Sequence, residues 1–343
     1  MKQAVLNLLR VTGAFAPFRL ANRRRLLILT YHRFCATDDG LNTSARALAE
    51  QLEYLLAHYT VWPLARIAEA QAAGARLPPA PAAITIDDGY RDAWQIALPI
   101  LRRYQVPATL YVVTGFVDRN AWVWTDKARF LTSRAPAKKI AVTLGRQALH
   151  FELSDKEARR AAAARLNAIL KRLPEAEKER ELERLAALLE VNLPHLPPEE
   201  FSPITWDQAR EMDAAGIEIG SHTVTHPILT GVSDERLQSE LQQSRARLET
   251  ILGRSVTQFC YPNGACDARV REAAAQAGYR SAVTTEFGFN RSDCDPLALS
   301  RIHTEPDMAH FVQSTSGLAE VRKNLRRLRS GTTQGSVFEY HPA

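Results

Sequence analysis

Short apolar runs alternate with amphipathic stretches along most of the chain. Residues 26–31 form one such run, ending at His32, and residues 82–86 form another, ending at Asp87-Asp88-Gly89. Runs of the same kind occupy 108–113, 217–219, 257–261 and 281–284. Between them, residues 44–58, 92–104, 205–214, 233–252 and 268–277 have helical spacing, with Ser44, Thr205 and Ser233 placed to cap three of the helices. Strands that are apolar on both faces and separated by helices predict a parallel sheet or barrel. The expected class is therefore α/β, on a parallel sheet or barrel, and in a barrel catalytic residues collect at the C-terminal strand ends.

One region breaks the rhythm. Residues 140–144 and 148–153 read as a hairpin around Gly145-Arg146, and 155–190 is rich in Ala, Leu, Glu and Arg with Leu166, Ile169, Leu170 and Leu173 at helical spacing. Pro174 divides that stretch into two helices. A helical insertion over about 118–203 is expected, packed on the barrel rim in preference to serving as a coiled partner-binding arm.

Composition adds little to the fold. The chain is 45% hydrophobic and 24% charged, which excludes a mostly disordered protein. Lys and Arg outnumber Asp and Glu by 44 to 38, and the excess collects in an amphipathic, basic segment at 1–25 and a basic helix and tail at 311–343. No nucleic-acid-binding motif accompanies these ends, so no nucleic-acid partner is expected. Residues 5–18 can form a short amphipathic helix that packs on the domain or lies on a membrane. Cys35, Cys260, Cys266 and Cys294 include no CxxC pair, which predicts free thiols in a reducing compartment. With no export signal apparent, a cytoplasmic location is expected, with peripheral contact at the inner membrane.

Four strand ends carry candidate chemistry. Asp87 and Asp88 sit side by side at one, where one carboxylate can ligate a metal while the other acts as general base; alone, Asp-Asp-Gly is more often a turn. His222 and His226 follow another, at a spacing that brings two imidazoles to one face of a helical turn. Two His and one Asp make a three-ligand site with positions open to water and substrate. Tyr261-Pro262-Asn263-Gly264 turns the chain after a third strand, where a backbone N–H can face an oxyanion. His32 ends the first strand and can act as an acid, with His303 as its competitor. Trp122, Trp124 and Tyr261 can stack on sugar rings or pack as core.

These residues resemble the polysaccharide deacetylase family, the NodB-homology fold of carbohydrate esterase family 4, over about 26–303 apart from the insertion, and the resemblance implies a distorted (β/α) barrel over 26–310. Thr85-Ile86-Asp87-Asp88-Gly89 matches the family's T-F-D-D-G, and His222, Thr223 and His226 match H-[ST]-x-x-H. The resemblance implies Asp87 as catalytic base, and Asp88, His222 and His226 as ligands of a divalent metal, zinc by default with Co, Ni or Fe acceptable. It also implies the Asn263 N–H as oxyanion donor. Where the family reads R-x-P-Y, this chain has Cys260-Tyr261-Pro262-Asn263. Tyr261, Pro262 and Arg301 are assigned to substrate contact, with Arg301 also available to steer Asp87 in place of the absent Arg. The early Tyr31-His32 resembles the branch acting on poly-N-acetylglucosamine exopolysaccharide, which favours His32 as the acid. The implied activity is removal of acetyl groups, N-acetyl first, from an amino sugar or polysaccharide. An O-acetyl esterase, a metal amidase on another substrate, and a catalytically silent carbohydrate-binding protein are the alternatives.

Overall fold

In the computed structural model, which describes residues 3–144 and 147–330, the apolar runs pair side by side into a parallel barrel. The strands of the barrel and of the insertion are β1 (Leu27–Tyr31), β2 (Thr60–Val61), β3 (Pro81–Ile86), β4 (Ala108–Val112), β5 (Lys139–Leu144), β6 (Gln147–Glu152), β7 (Ile217–Ser221), β8 (Gln258–Cys260), β9 (Ser281–Phe287) and β10 (Leu299–His303). Going round the barrel, β1, β3, β4, β7, β8, β9 and β10 follow one another, and β10 pairs with β1 to close the ring. The short β2 pairs with the start of β3. The expected (β/α) barrel with a helical insertion is the fold observed.

Side chains alternate across each strand, so β1 feeds two cores. Leu27, Leu29 and Tyr31 face outward and pack with Leu48 and Leu52 of the helix Ala45–His58. Ile28 faces inward and meets Ala83, Tyr111, Val283 and Leu299. Burying each of the large aliphatic residues contributes roughly 1.5–3 kcal/mol. Leu64 and Ile67, on the helix Leu64–Ala72, join the inner group from the N-terminal end of the strands, where Ala65 N–H donates to Glu218 at 3.3 Å. That helix plugs one end of the barrel, which leaves chemistry to the other.

The expected caps are in place. Ser44 Oγ accepts from Ala47 N–H at 3.1 Å, Ser233 Oγ accepts from Arg236 N–H at 3.4 Å, and Thr205 forms a full capping box with Gln208. The 92–104 helix opens instead with a π turn, Ala93–Ala97, before the α-helix Leu98–Tyr104. Pro99 has no N–H for the ordinary helical ladder, and Leu98 N–H reaches back to Ala93 O. β10 was not expected as a strand, because the consecutive polar residues Ser300 and Arg301 interrupt its apolar run.

The insertion has a core of its own. The helices Trp124–Arg134, Lys156–Leu170 and Glu175–Leu188 pack with the β5–β6 hairpin around Leu131, Phe151, Leu166, Leu170, Leu182 and Leu185. The apolar stripe noted in the sequence is thus covered within the insertion, which removes the argument for a partner-binding arm. The hairpin turn expected at Gly145-Arg146 lies outside the described residues. At the C-terminal end, the boundary expected at 311 falls inside the helix Met308–Ser316, whose Phe311 and Val312 belong to the main core. The helix Leu318–Ser330 follows, and the remainder of the expected basic tail lies outside the described residues.

Candidate active site

Because the barrel strands are all parallel, their C-terminal ends open at one mouth, and His32, Asp87, Asp88, His222 and His303 meet there. Asp87 N–H still donates to Tyr31 O at 2.9 Å, the last contact of β3 with β1. Asp88 then turns left-handed at φ 75°, followed by Gly89 at φ 84°. Such a turn costs a non-glycine residue on the order of 1 kcal/mol or more. Its effect is to send the two neighbouring carboxylates in different directions.

Asp87 points to Arg301. The guanidinium donates from Nη1 to Oδ1 at 2.8 Å and from Nη2 to Oδ2 at 2.7 Å, with both side chains buried. Its other donors go to Thr284 O at 2.8 Å and Thr85 Oγ1 at 3.0 Å. Burial raises the Asp87 pKa, but Arg301 overrides that effect and holds the carboxyl below its ordinary range. The expectation that Arg301 touches substrate is corrected: its guanidinium is buried and committed to Asp87 and the barrel wall.

Asp88 points to the histidines. Its Oδ1 lies 3.4 Å from His222 Nε2 and 3.6 Å from His226 Nε2. All three groups are buried, and their ligand atoms lie within 4.8 Å of one another. A tetrahedral ion with bonds of about 2.0–2.1 Å separates its ligands by roughly 3.4 Å, so this donor set fits a divalent metal. The 2.7 Å contact of His222 Nδ1 with Cys260 O fits Nδ1–H as donor, which leaves the Nε2 lone pair facing Asp88.

The helical turn expected over 222–226 is not what brings the imidazoles together. Thr223 and His226 are both left-handed, at φ 69° and 58°, and the rings meet with centroids 4.8 Å apart. Pro227 disfavours right-handed geometry at His226. The loop is held by Glu240, a buried residue of the helix Asp234–Leu252, whose Oε2 accepts from Val224 N–H at 2.8 Å and Thr225 N–H at 2.9 Å. Glu240 went unnoticed in the sequence. Its signal was an acidic residue between Leu237 and Leu241, on the apolar face of its helix.

His32 stands on the other side of Asp87, with Nε2 3.7 Å from Oδ2, and its ring is 5.5 Å from that of His303. Burial lowers the pKa of both, and the His32 ring adds to the effect on His303, bringing it to about 3. Asn263 is half-buried at the mouth, left-handed at φ 54°, and its carbonyl accepts from Thr285 Oγ1 at 3.1 Å. Tyr261 and Pro262 just before it are buried, and the Tyr261 hydroxyl donates to Leu297 O at 2.9 Å. Neither presents a face to a sugar, which corrects their assignment to substrate contact. Trp122 and Trp124 are likewise core residues, 5% and 4% exposed.

A family model described as polysaccharide deacetylase matches residues 74–282. Over 106 residues the chain is 34% identical to YxkH of Bacillus subtilis (strain 168), which carries the same family name; the match covers 31% of this chain and 38% of that protein. Among solved structures, the Streptococcus pyogenes deacetylase PplD in complex with acetate superposes with a TM-score of 0.57 at 19% identity, over 87% of this chain and 98% of that one. IcaB from Ammonifex degensii gives 0.56 at 19% identity, over 85% and 97%. At these identities the two structures speak for the shared fold.

Proposed function

The chain belongs to the polysaccharide deacetylase family, and from that premise we infer that it is a metal-dependent hydrolase that removes acetyl groups, N-acetyl by preference, from an amino sugar or polysaccharide. The observation that carries this reading is the convergence of Asp88, His222 and His226 beside a carboxylate held by Arg301. A binding protein has no need of a buried, ionised carboxylate next to a metal-ligand set.

Asp88, His222 and His226 would hold the ion, zinc by default, with Co, Ni or Fe compatible with the same donors. When bound, it supplies Lewis acidity toward the acetyl carbonyl and the attacking water. Asp87 accepts the water's proton as attack begins, and Arg301 keeps that carboxylate charged and aimed. The Asn263 N–H donates to the carbonyl oxygen as negative charge develops there. His32, whose Nε2 lies 3.7 Å from Asp87 Oδ2, passes the proton taken up by Asp87 to the departing amine as the carbon–nitrogen bond breaks, leaving acetate and the free amino sugar.

Metal content and acetate release from acetylated amino-sugar oligomers test this together. The wild type should hold about one equivalent of metal and release acetate. Asp87→Asn should retain metal and lose turnover, whereas His222→Ala should lose both. A wild type that binds no transition metal and releases nothing overturns the assignment and leaves a carbohydrate-binding protein.

A further inference from the structure

The N-terminal helix Gln3–Val11 buries Leu6 and exposes an apolar stripe, and the short helix Ala16–Asn22 that follows Phe15 has no buried residue of its own. Leu6 and Phe15 enter the main core alongside Phe311 and Val312 of the helix Met308–Ser316. On the outside, Val5, Leu8, Val11 and Leu20 are 43%, 62%, 76% and 60% exposed. Val5, Leu8 and Val11 are three residues apart in turn, so they line one stripe of the first helix. The helix Leu318–Ser330 adjoins the same central helix and exposes Val321 and Leu325 at 41% and 51%. The folded domain already has its core contacts without these side chains, so their exposure calls for a different occupant.

Charge identifies that occupant. Residues 1–25 carry Lys2, Arg10, Arg19, Arg23, Arg24 and Arg25 with no Asp or Glu, and residues 318–330 carry five basic residues against Glu320 alone. Arg25 pairs with Glu320 at 2.8 Å, which ties the two basic segments together, while Arg10, Arg23 and Arg24 are exposed. An apolar stripe flanked by cations suits the headgroup region of an anionic bilayer, where leucine side chains sink and arginines meet phosphate. Among the described residues no helix is long and apolar enough to cross a membrane, so contact would be at the surface. Gln3 lies beside the Asp307 side chain, four residues past His303, so the first helix starts near the barrel mouth.

We propose that the two N-terminal helices and the helix Leu318–Ser330 form a docking face for an anionic lipid surface. The test is flotation of the full chain with vesicles of phosphatidylcholine, with and without phosphatidylglycerol. The wild type floats only with the anionic vesicles, and added salt weakens the association. Leu8→Glu with Val11→Glu, and separately Arg23→Glu with Arg24→Glu, lower the partition coefficient by at least about tenfold. Both variants keep the wild-type unfolding transition and acetate release from soluble oligomers, since none of these residues lies at the barrel mouth. The proposal is overturned by a wild type that floats with neither vesicle. It is equally overturned by variants that float as well as wild type, or by a dimer that Leu8→Glu dissociates with no vesicle binding at all.

Discussion

Arg301 grips both oxygens of Asp87 from a strand that does not touch β3, since β1 lies between β10 and β3. Its Nη2 also lies 3.3 Å from the Cys260 thiol, at the position where the resembled family carries its Arg. A small residue at 260 leaves room for a guanidinium arriving from another strand. The same carboxylate is held, and the holder has changed its address.

Removing this guanidinium leaves a buried carboxylate without its partner. Arg301→Met should destabilise the fold by roughly 3–5 kcal/mol in urea unfolding. Adding Asp87→Asn should restore part of that loss, because the uncompensated charge disappears. Strictly additive losses in the double variant would mean the pair is not coupled as described.

Glu240 should matter for metal without touching it. Glu240→Ala frees the Val224 and Thr225 N–H groups that fix the loop carrying His226. Metal affinity should fall by about 10–100-fold, measured by competition with a chelator. Unchanged affinity would show that the loop keeps its shape without the carboxylate.

His32→Ala separates proton delivery from attack. On an acetylated amino sugar the rate should fall by about 10²–10⁴-fold, because an amine leaves poorly without a proton. On an aryl acetate, whose phenolate leaves unaided, the loss should be small. Equal losses on both substrates would argue for a role in holding the site together.

Stability should fall with acid through His303. The group faces His32, Arg301 and Asp87, and its folded value of about 3 lies below the ordinary 6.5. Between those values the unfolded chain binds a proton that the folded one does not, so stability is full above about pH 6.5 and declines toward pH 3. In His303→Gln that part of the decline should vanish from unfolding curves measured across this range.

The barrel was legible because its strands are short, apolar and punctuated by helices with good caps at Ser44, Thr205 and Ser233. Asp88, His222 and His226 were legible as motifs, yet the geometry at His226 was not. A left-handed histidine follows from the following proline and from Glu240, which lies fourteen residues along the chain. Arg301 was harder still. Its partner is 214 residues away, and only closure of the barrel by β10 brings them together. Tyr261 and Pro262 misled because a loop beside a catalytic mouth can still direct its side chains into the core.

The insertion leaves the barrel after β4 and returns at the helix Trp206–Ala214, which runs back to the start of β7, the parallel neighbour of β4. The insertion's two ends adjoin at the rim, where Trp206 Nε1 donates to Asp118 Oδ1 at 2.7 Å and Ile204 N–H donates to Gly89 O at 2.9 Å. Barrel closure sets no demand on its length or content. The insertion can therefore be lengthened, shortened or exchanged while the strand ends that carry His32, Asp87 and His222 keep their places.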